Sequence, residues 1–147
     1  MSDRRPADEN PTGVIARRIA PWCANQDVEL CVLFGSRAEG RDRPDSDLDL
    51  AVWPSGGPVA AERLLAWRRE LTELLAIPVE LIAVGPRLDP VLGLQVARQG
   101  LPLYERSPGL WPARRLQLWQ LFQDSLPFLR ASRERLREFA EEARRGA

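Results

Sequence analysis

The stretch Leu33-Phe34-Gly35-Ser36-Arg37-Ala38-Glu39-Gly40, followed further on by Ser46-Asp47-Leu48-Asp49-Leu50, decides how this chain is read. The apolar run from Val28 to Phe34 is rich in β-forming residues and predicts a strand. Gly35 and Ser36 end it. Ten residues then separate Ser36 from Asp47, and 37–46 read as a polar loop punctuated by Gly40 and Pro44. Asp47 to Trp53 predicts a second strand, with Leu48, Leu50 and Val52 on one face.

Side chains alternate along a strand, so Asp47 and Asp49 share a face, roughly 6.6 Å apart from a rise of ~3.3 Å per residue. Leu48 and Leu50 point the other way, into a core. Two carboxylates on one face repel unless a cation compensates them, and a rigid strand presenting such a pair suits Mg²⁺. Glycine at position 35 lets the backbone approach a phosphate closely. The Ser36 hydroxyl and the free N–H groups of the turn can donate to phosphate oxygens. Arg37 follows, either as a bidentate phosphate grip or as a surface cation. Asp45 reads as a turn residue, and Arg41 and Arg43 as solvated loop charges.

A third acid stands further along. Glu80 interrupts the apolar run Val79-Glu80-Leu81-Ile82-Ala83-Val84, where a charge is costly unless used or exposed at a sheet edge. If this strand lies beside the Asp47–Asp49 strand, Glu80 faces the same cleft and can take the proton from an attacking hydroxyl. Otherwise it is an edge-strand acid.

Around this centre the pattern is mixed. Thr12 to Asn25 has helical spacing through Ile15, Ile19 and Trp22, with a bend expected at Pro21. Pro54 to Pro58 is a turn. Leu64, Trp67, Leu71 and Leu74 predict a helix over 59–76, stopped by Pro78. Asp89 reads as an N-cap with Pro90 at the first helical position, and Gly100 closes that helix. Leu101 to Glu105 is a short extended piece. Residues 112–145 are helical in pattern, with apolar positions at Leu116, Trp119, Phe122, Leu129, Leu136, Phe139 and Ala143, and Pro127 is expected to divide them into two pieces. Trp53, Trp67, Trp111 and Trp119 read as packing residues, Trp111 alternatively as part of a partner surface. The expected fold is α/β (α+β): a small mixed sheet flanked by helices. Its expected parts are a flexible arm over 1–10, a catalytic domain over 11–106 and a helical C-terminal extension over 107–147.

Composition narrows the chemistry. The 147 residues suffice for one domain with a real core. Arginines number 21, lysines none, acids 21, so the net charge is zero, and no basic face for nucleic acid is expected. No apolar run reaches membrane-span length, the first ten residues do not resemble a secretory signal, and a cytoplasmic location is expected. Cys23 and Cys31 read as buried thiols rather than a disulfide framework. Histidine is absent, which removes Ser-His-Asp and Cys-His nucleophile systems and histidine-based metal sites. A general base must be a carboxylate, and a metal site must use oxygen ligands, favouring Mg²⁺ or Mn²⁺. The lysine of a P-loop is missing too.

The Gly35-Ser36 pair, the spacer, the Asp47-Leu48-Asp49 triplet and the later acid resemble the DNA polymerase β-like nucleotidyltransferase superfamily. More narrowly, Gly35 to Gly40, Ser46 to Leu50, Glu80-Leu81-Ile82, Val96, Gly100 and Leu103-Tyr104-Glu105 are similar to the minimal nucleotidyltransferase (MNT) family, over about residues 28–106 plus a helical tail. The resemblance implies a nucleotidyltransferase fold and an antitoxin paired with a HEPN-domain ribonuclease toxin. It implies transfer of AMP from Mg-ATP to a toxin hydroxyl, typically a tyrosine. It assigns metal to Asp47 and Asp49, catalysis to Asp47, Asp49 and Glu80, and nucleotide binding to Gly35, Ser36 and Arg37. The family's third acid is usually aspartate, so Glu80 departs from the pattern by one methylene. Two other functions fit the same motif: an antitoxin that acts by binding alone, which the Glu80 departure favours, and a small-molecule transferase of the aminoglycoside type, which the short C-terminal extension disfavours.

Overall fold

The two apolar runs of the motif pair with each other at the centre of the molecule. The structure is a computed structural model that describes residues 10–38 and 46–146. Residues 1–9 of the expected arm, and the loop residues Glu39, Gly40, Arg41, Arg43, Pro44 and Asp45, lie outside the described residues. Strand β1 (Val28–Phe34) runs antiparallel to β2 (Leu48–Pro54), with Leu33 opposite Leu50 and Phe34 opposite Asp49. Strand β3 (Val79–Ala83) lies parallel to β2, and β4 (Leu101–Glu105) lies antiparallel to β1. The sheet is mixed, with order β3-β2-β1-β4.

Alternation along β1 and β2 builds two cores. Leu33, Leu48, Leu50 and Val52 face one side; Val32, Phe34, Ala51 and Trp53 face the other. Helix α1 (Pro11–Asn25) covers the first face with Ile15, Ile19 and Cys23, spaced by four. It starts at Asn10, whose side chain accepts from the Gly13 N–H at 2.7 Å, and it continues past Pro21 to Asn25. Helix α2 (Ala61–Leu75) joins it with Trp67, Leu71 and Leu75, spaced likewise, so Leu75 is buried and the expected Leu74 is 40% exposed. It ends with Ala76 in the left-handed conformation, two residues before Pro78. The opposite face is covered by α3 (Pro90–Gln99), capped by Asp89 at one end and Gly100 at the other as expected, and by the start of α4 (Leu110–Arg145). Trp111 packs edge-on against Trp53, and Cys23 and Cys31 are buried free thiols. A small mixed sheet with helices packed on both faces is the mixed α/β (α+β) architecture expected.

The C-terminal segment departs from expectation. It is one helix of 36 residues, unbroken at Pro127. Only Trp111 and Leu118 in it are buried, whereas Leu116, Leu136 and Phe139 are 58%, 70% and 71% exposed. At 1.5 Å per residue it extends about 54 Å, past the end of the sheet. Pro127 lies on that overhang. Gln123, whose carbonyl loses its N–H partner at Pro127, is exposed, so solvent can take that partner's place and the helix is not forced to stop. Among the described residues no helix is long and apolar enough to cross a membrane.

Candidate active site

The end of β1, the start of β2 and the start of β3 meet on the face covered by α3 and α4. Gly35 follows β1 with φ +80°, a conformation open to glycine and strained for other residues. A Cβ built on it would overlap the carboxylate of Asp49. Two independent constraints therefore select glycine: the backbone angle and the space Asp49 occupies. The Gly35 N–H donates to Oε1 of Gln99, 3.2 Å away at the last residue of α3. Gln99 was not foreseen, since a glutamine before a helix-closing glycine carries no distinctive spacing. Ser36 follows in the turn, half-buried.

Arg37 holds the feet of the loop together. Its Nε and Nη2 donate to the Ser46 carbonyl at 3.1 and 2.8 Å. The guanidinium thus braces the chain immediately before Asp47, and this role stands beside the expected phosphate contact.

Asp47 is exposed and lies one residue before β2, which begins at Leu48, not Asp47 as expected. Asp49 lies on β2, half-buried. The parallel register puts Glu80 directly opposite Asp49, and residues so paired project from the same face. The three expected acids thus share one region. Burial raises the Asp49 pKa, and the charges of Glu80 and then Asp47 raise it further.

Glu80 has a cationic neighbour that no spacing in the sequence marks. Arg68 of α2 donates from Nη2 to Glu80 Oε1 at 2.9 Å, and from Nε to the Val79 carbonyl at 2.9 Å. The guanidinium thus spans the backbone and the side chain of neighbouring residues on the edge strand β3. Both side chains are about half exposed, at 47% and 49%, so the pair orients Glu80 more than it stabilises the fold.

The donor set is hard oxygen only, and the negative charge on Asp49 is opposed by its two neighbours. Among the described residues no group of three His, Cys, Asp or Glu side chains could by itself hold a metal. Two carboxylates that leave the remaining positions to substrate phosphates and water are the usual protein share of a Mg²⁺ site, and Asp47 and Asp49 fit that share.

Comparison with known proteins agrees with this geometry. The family model described as polymerase beta, nucleotidyltransferase matches residues 17–109, which include the Gly-Ser turn and all three acids. A chain of a toxin–antitoxin crystal structure with AMP-PNP superposes with TM-score 0.69 at 21% identity, over 86% of this chain and 98% of that one. A chain from the structure of a tri-AMPylated Shewanella oneidensis HEPN toxin in complex with MNT antitoxin gives 0.66 at 19% identity, over 88% and 98%. A chain of the MntA–HepT toxin–antitoxin structure gives 0.65 at 19%, over 87% and 97%. At such identities the likeness is one of fold. No curated protein matches the chain.

Proposed function

The chain belongs to the polymerase beta nucleotidyltransferase family, and we propose that within it this protein is an MNT-type antitoxin, acting in the cytoplasm, that transfers AMP from ATP to a hydroxyl of a HEPN-domain toxin, a tyrosine above all, and so silences it. The observation that carries this reading is the pairing of Asp49 with Glu80 beside a glycine turn that leaves room for the Asp49 carboxylate. The solved complexes of like fold, one with AMP-PNP and one with an AMPylated HEPN toxin, support the choice of donor and acceptor.

In the proposed reaction the acceptor oxygen attacks the α-phosphorus of ATP. A P–O bond forms to the acceptor, the bond to the β-phosphate oxygen breaks, and pyrophosphate leaves with that electron pair. Mg²⁺, or Mn²⁺, held by Asp47 and Asp49, would supply positive charge to the triphosphate. Glu80 takes the hydroxyl proton on one carboxylate oxygen while Arg68 holds the other. Ser36 and the turn N–H groups orient the phosphates, Gln99 fixes the turn from behind, and Arg37 keeps Asp47 in place.

The test is incubation with ATP, Mg²⁺ and the HEPN protein encoded beside it, with both proteins weighed by intact mass spectrometry. A gain of AMP units on the HEPN protein, absent with Asp47→Asn/Asp49→Asn, is expected. No gain would remove the transferase reading. The Arg68–Glu80 ion pair favours one second reading, an antitoxin that acts by contact alone, because one carboxylate oxygen of Glu80 is already taken by Arg68; a silencing complex without mass gain would establish it.

A further inference from the structure

We propose that the free edge of β3 is the docking site for the acceptor protein, which adds an extended apolar segment to the sheet as a fifth strand ending beside Glu80. The inference rests on the protein-acceptor reading above and adds where that acceptor binds.

The backbone phase of β3 is fixed at both ends. The Leu48 N–H donates to the Pro78 carbonyl at 2.9 Å, and the Val84 N–H to the Val52 carbonyl at 2.8 Å. In a parallel ladder this turns residues 78, 80, 82 and 84 towards β2 and residues 79, 81 and 83 outward. At Val79 the outward groups are already taken: Thr72 Oγ1 accepts from its N–H at 3.2 Å, and Arg68 Nε donates to its carbonyl at 2.9 Å. At Leu81 and Ala83, one and three residues past Glu80, no other described residue takes them. Among the described residues the edge is closed at Val79 and open beyond it.

The open part borders a cavity of about 700 Å³, walled by Val59, Leu64, Leu81, Ala83, Pro86 and Leu88 among others, within the ~300–1,000 Å³ common for binding sites. Its walls come from both faces of the sheet: Val59 and Leu64 pack with the α1–α2 core, Leu88 with the α3–α4 core. A space that wraps an edge in this way fits a strand and not a flat ring. Unpaired edge donors and acceptors hazard aggregation unless something covers them, and main-chain pairing plus apolar side-chain pockets is how an extended segment is captured. Because Arg68 stops the pairing at Val79, the added strand must leave the edge level with Glu80, which delivers its next residue to the acid. The occupant is therefore an extended, apolar stretch flanking the modified hydroxyl.

The test uses the intact protein and the HEPN protein encoded beside it. Hydrogen exchange resolved at single amides should slow Leu81 and Ala83 on mixing and leave Ile82, already bonded to β2, unchanged. Ala83→Pro removes one outward N–H, and Ala83→Ser keeps it. The proline variant should raise KM for the protein acceptor about tenfold, as loss of one main-chain bond and its neighbours would, with Mg-ATP affinity unchanged and the serine variant like wild type. Leu64→Asp, which alters the wall and spares the strand, should do the same and stands in if Ala83→Pro misfolds. AMP transfer with no protection at Leu81 and Ala83 and no effect of these variants would overturn the docking site and leave the transferase intact. Protection without AMP transfer would keep the docking site and remove the transferase. Protection that grows with the concentration of this protein alone would assign the edge to a second copy and overturn the proposal.

Discussion

Asp49 and Glu80 stand opposite each other in the parallel register of β2 and β3, the first half-buried and the second exposed. The difference in burial divides their roles. In the proposed reaction Asp49, held between strands, takes a fixed ligand position, while Glu80, on an edge strand with one oxygen on Arg68, keeps the other for an incoming hydroxyl.

From that division, Glu80→Gln should lower AMP transfer about 10²–10⁴-fold, the usual worth of a positioned general base, with little change in Mg-ATP affinity. Glu80→Asp should retain part of the activity but lose the reach to Arg68. The readout is kcat for AMP transfer alongside nucleotide binding; equal kcat for Glu80→Gln and wild type would remove Glu80 from the chemistry.

Asp49 makes stability depend on pH. Its folded pKa lies above the ordinary 3.8 because burial, Glu80 and Asp47 disfavour its charge, so the folded state holds the proton more tightly than the unfolded chain. Stability from this group is full below 3.8 and is lost as pH rises through the folded value. Asp49→Asn should therefore melt higher than wild type at neutral pH without divalent metal, and the gap should close in acid. Mg²⁺ should raise the wild-type melting temperature and leave Asp49→Asn nearly unmoved. Thermal melts across pH, with and without Mg²⁺, read both effects.

Two glycines should fail for different reasons. Gly35→Ala meets a positive φ, costing about 1–2 kcal/mol, and displaces the Asp49 carboxylate, so both stability and Mg-ATP binding should fall. Gly100 has an ordinary φ of −65°, but a Cβ there would sit 2.5 Å from the Val96 carbonyl and 2.7 Å from Trp111 and Val32. Gly100→Ala should cost about 1–3 kcal/mol by overpacking and leave the activity per folded molecule unchanged. Denaturant unfolding and nucleotide titration separate the two cases.

Pro127 weakens α4 where it overhangs the core. Pro127→Ala should slow amide exchange over residues 122–131 and leave global unfolding unchanged, because that part of the helix packs on little else. Residue-level hydrogen exchange tests it.

Much of this was legible in the residues. Val28 to Phe34 and Asp47 to Trp53 read as strands from their apolar alternation, the second beginning one residue later than expected, and Asp89-Pro90 and Gly100 bound a helix by local chemistry. Glu80 was readable as an acid out of place among apolar neighbours. What the sequence hid depends on contacts between distant elements. Gln99 reaches Gly35 and Arg68 reaches Glu80 only once α3 and α2 have docked. Leu74 and Leu75 are interchangeable in a pattern until the helix is rolled onto the sheet. The apolar stripe of Leu116, Leu136 and Phe139 has a buried helix's composition and a solvent-facing position, and Pro127, a helix breaker in isolation, is tolerated because water replaces its missing N–H.

The most direct measurement follows the label from ATP marked at the α-phosphorus or at the γ-phosphorus, in the presence of Mg²⁺ and the HEPN protein. The account predicts that α label appears on a tyrosine of that protein, that γ label leaves as pyrophosphate in equal amount, and that both cease with Asp49→Asn. Label on the HEPN protein from the γ position, or equal α labelling by Asp49→Asn, would contradict it.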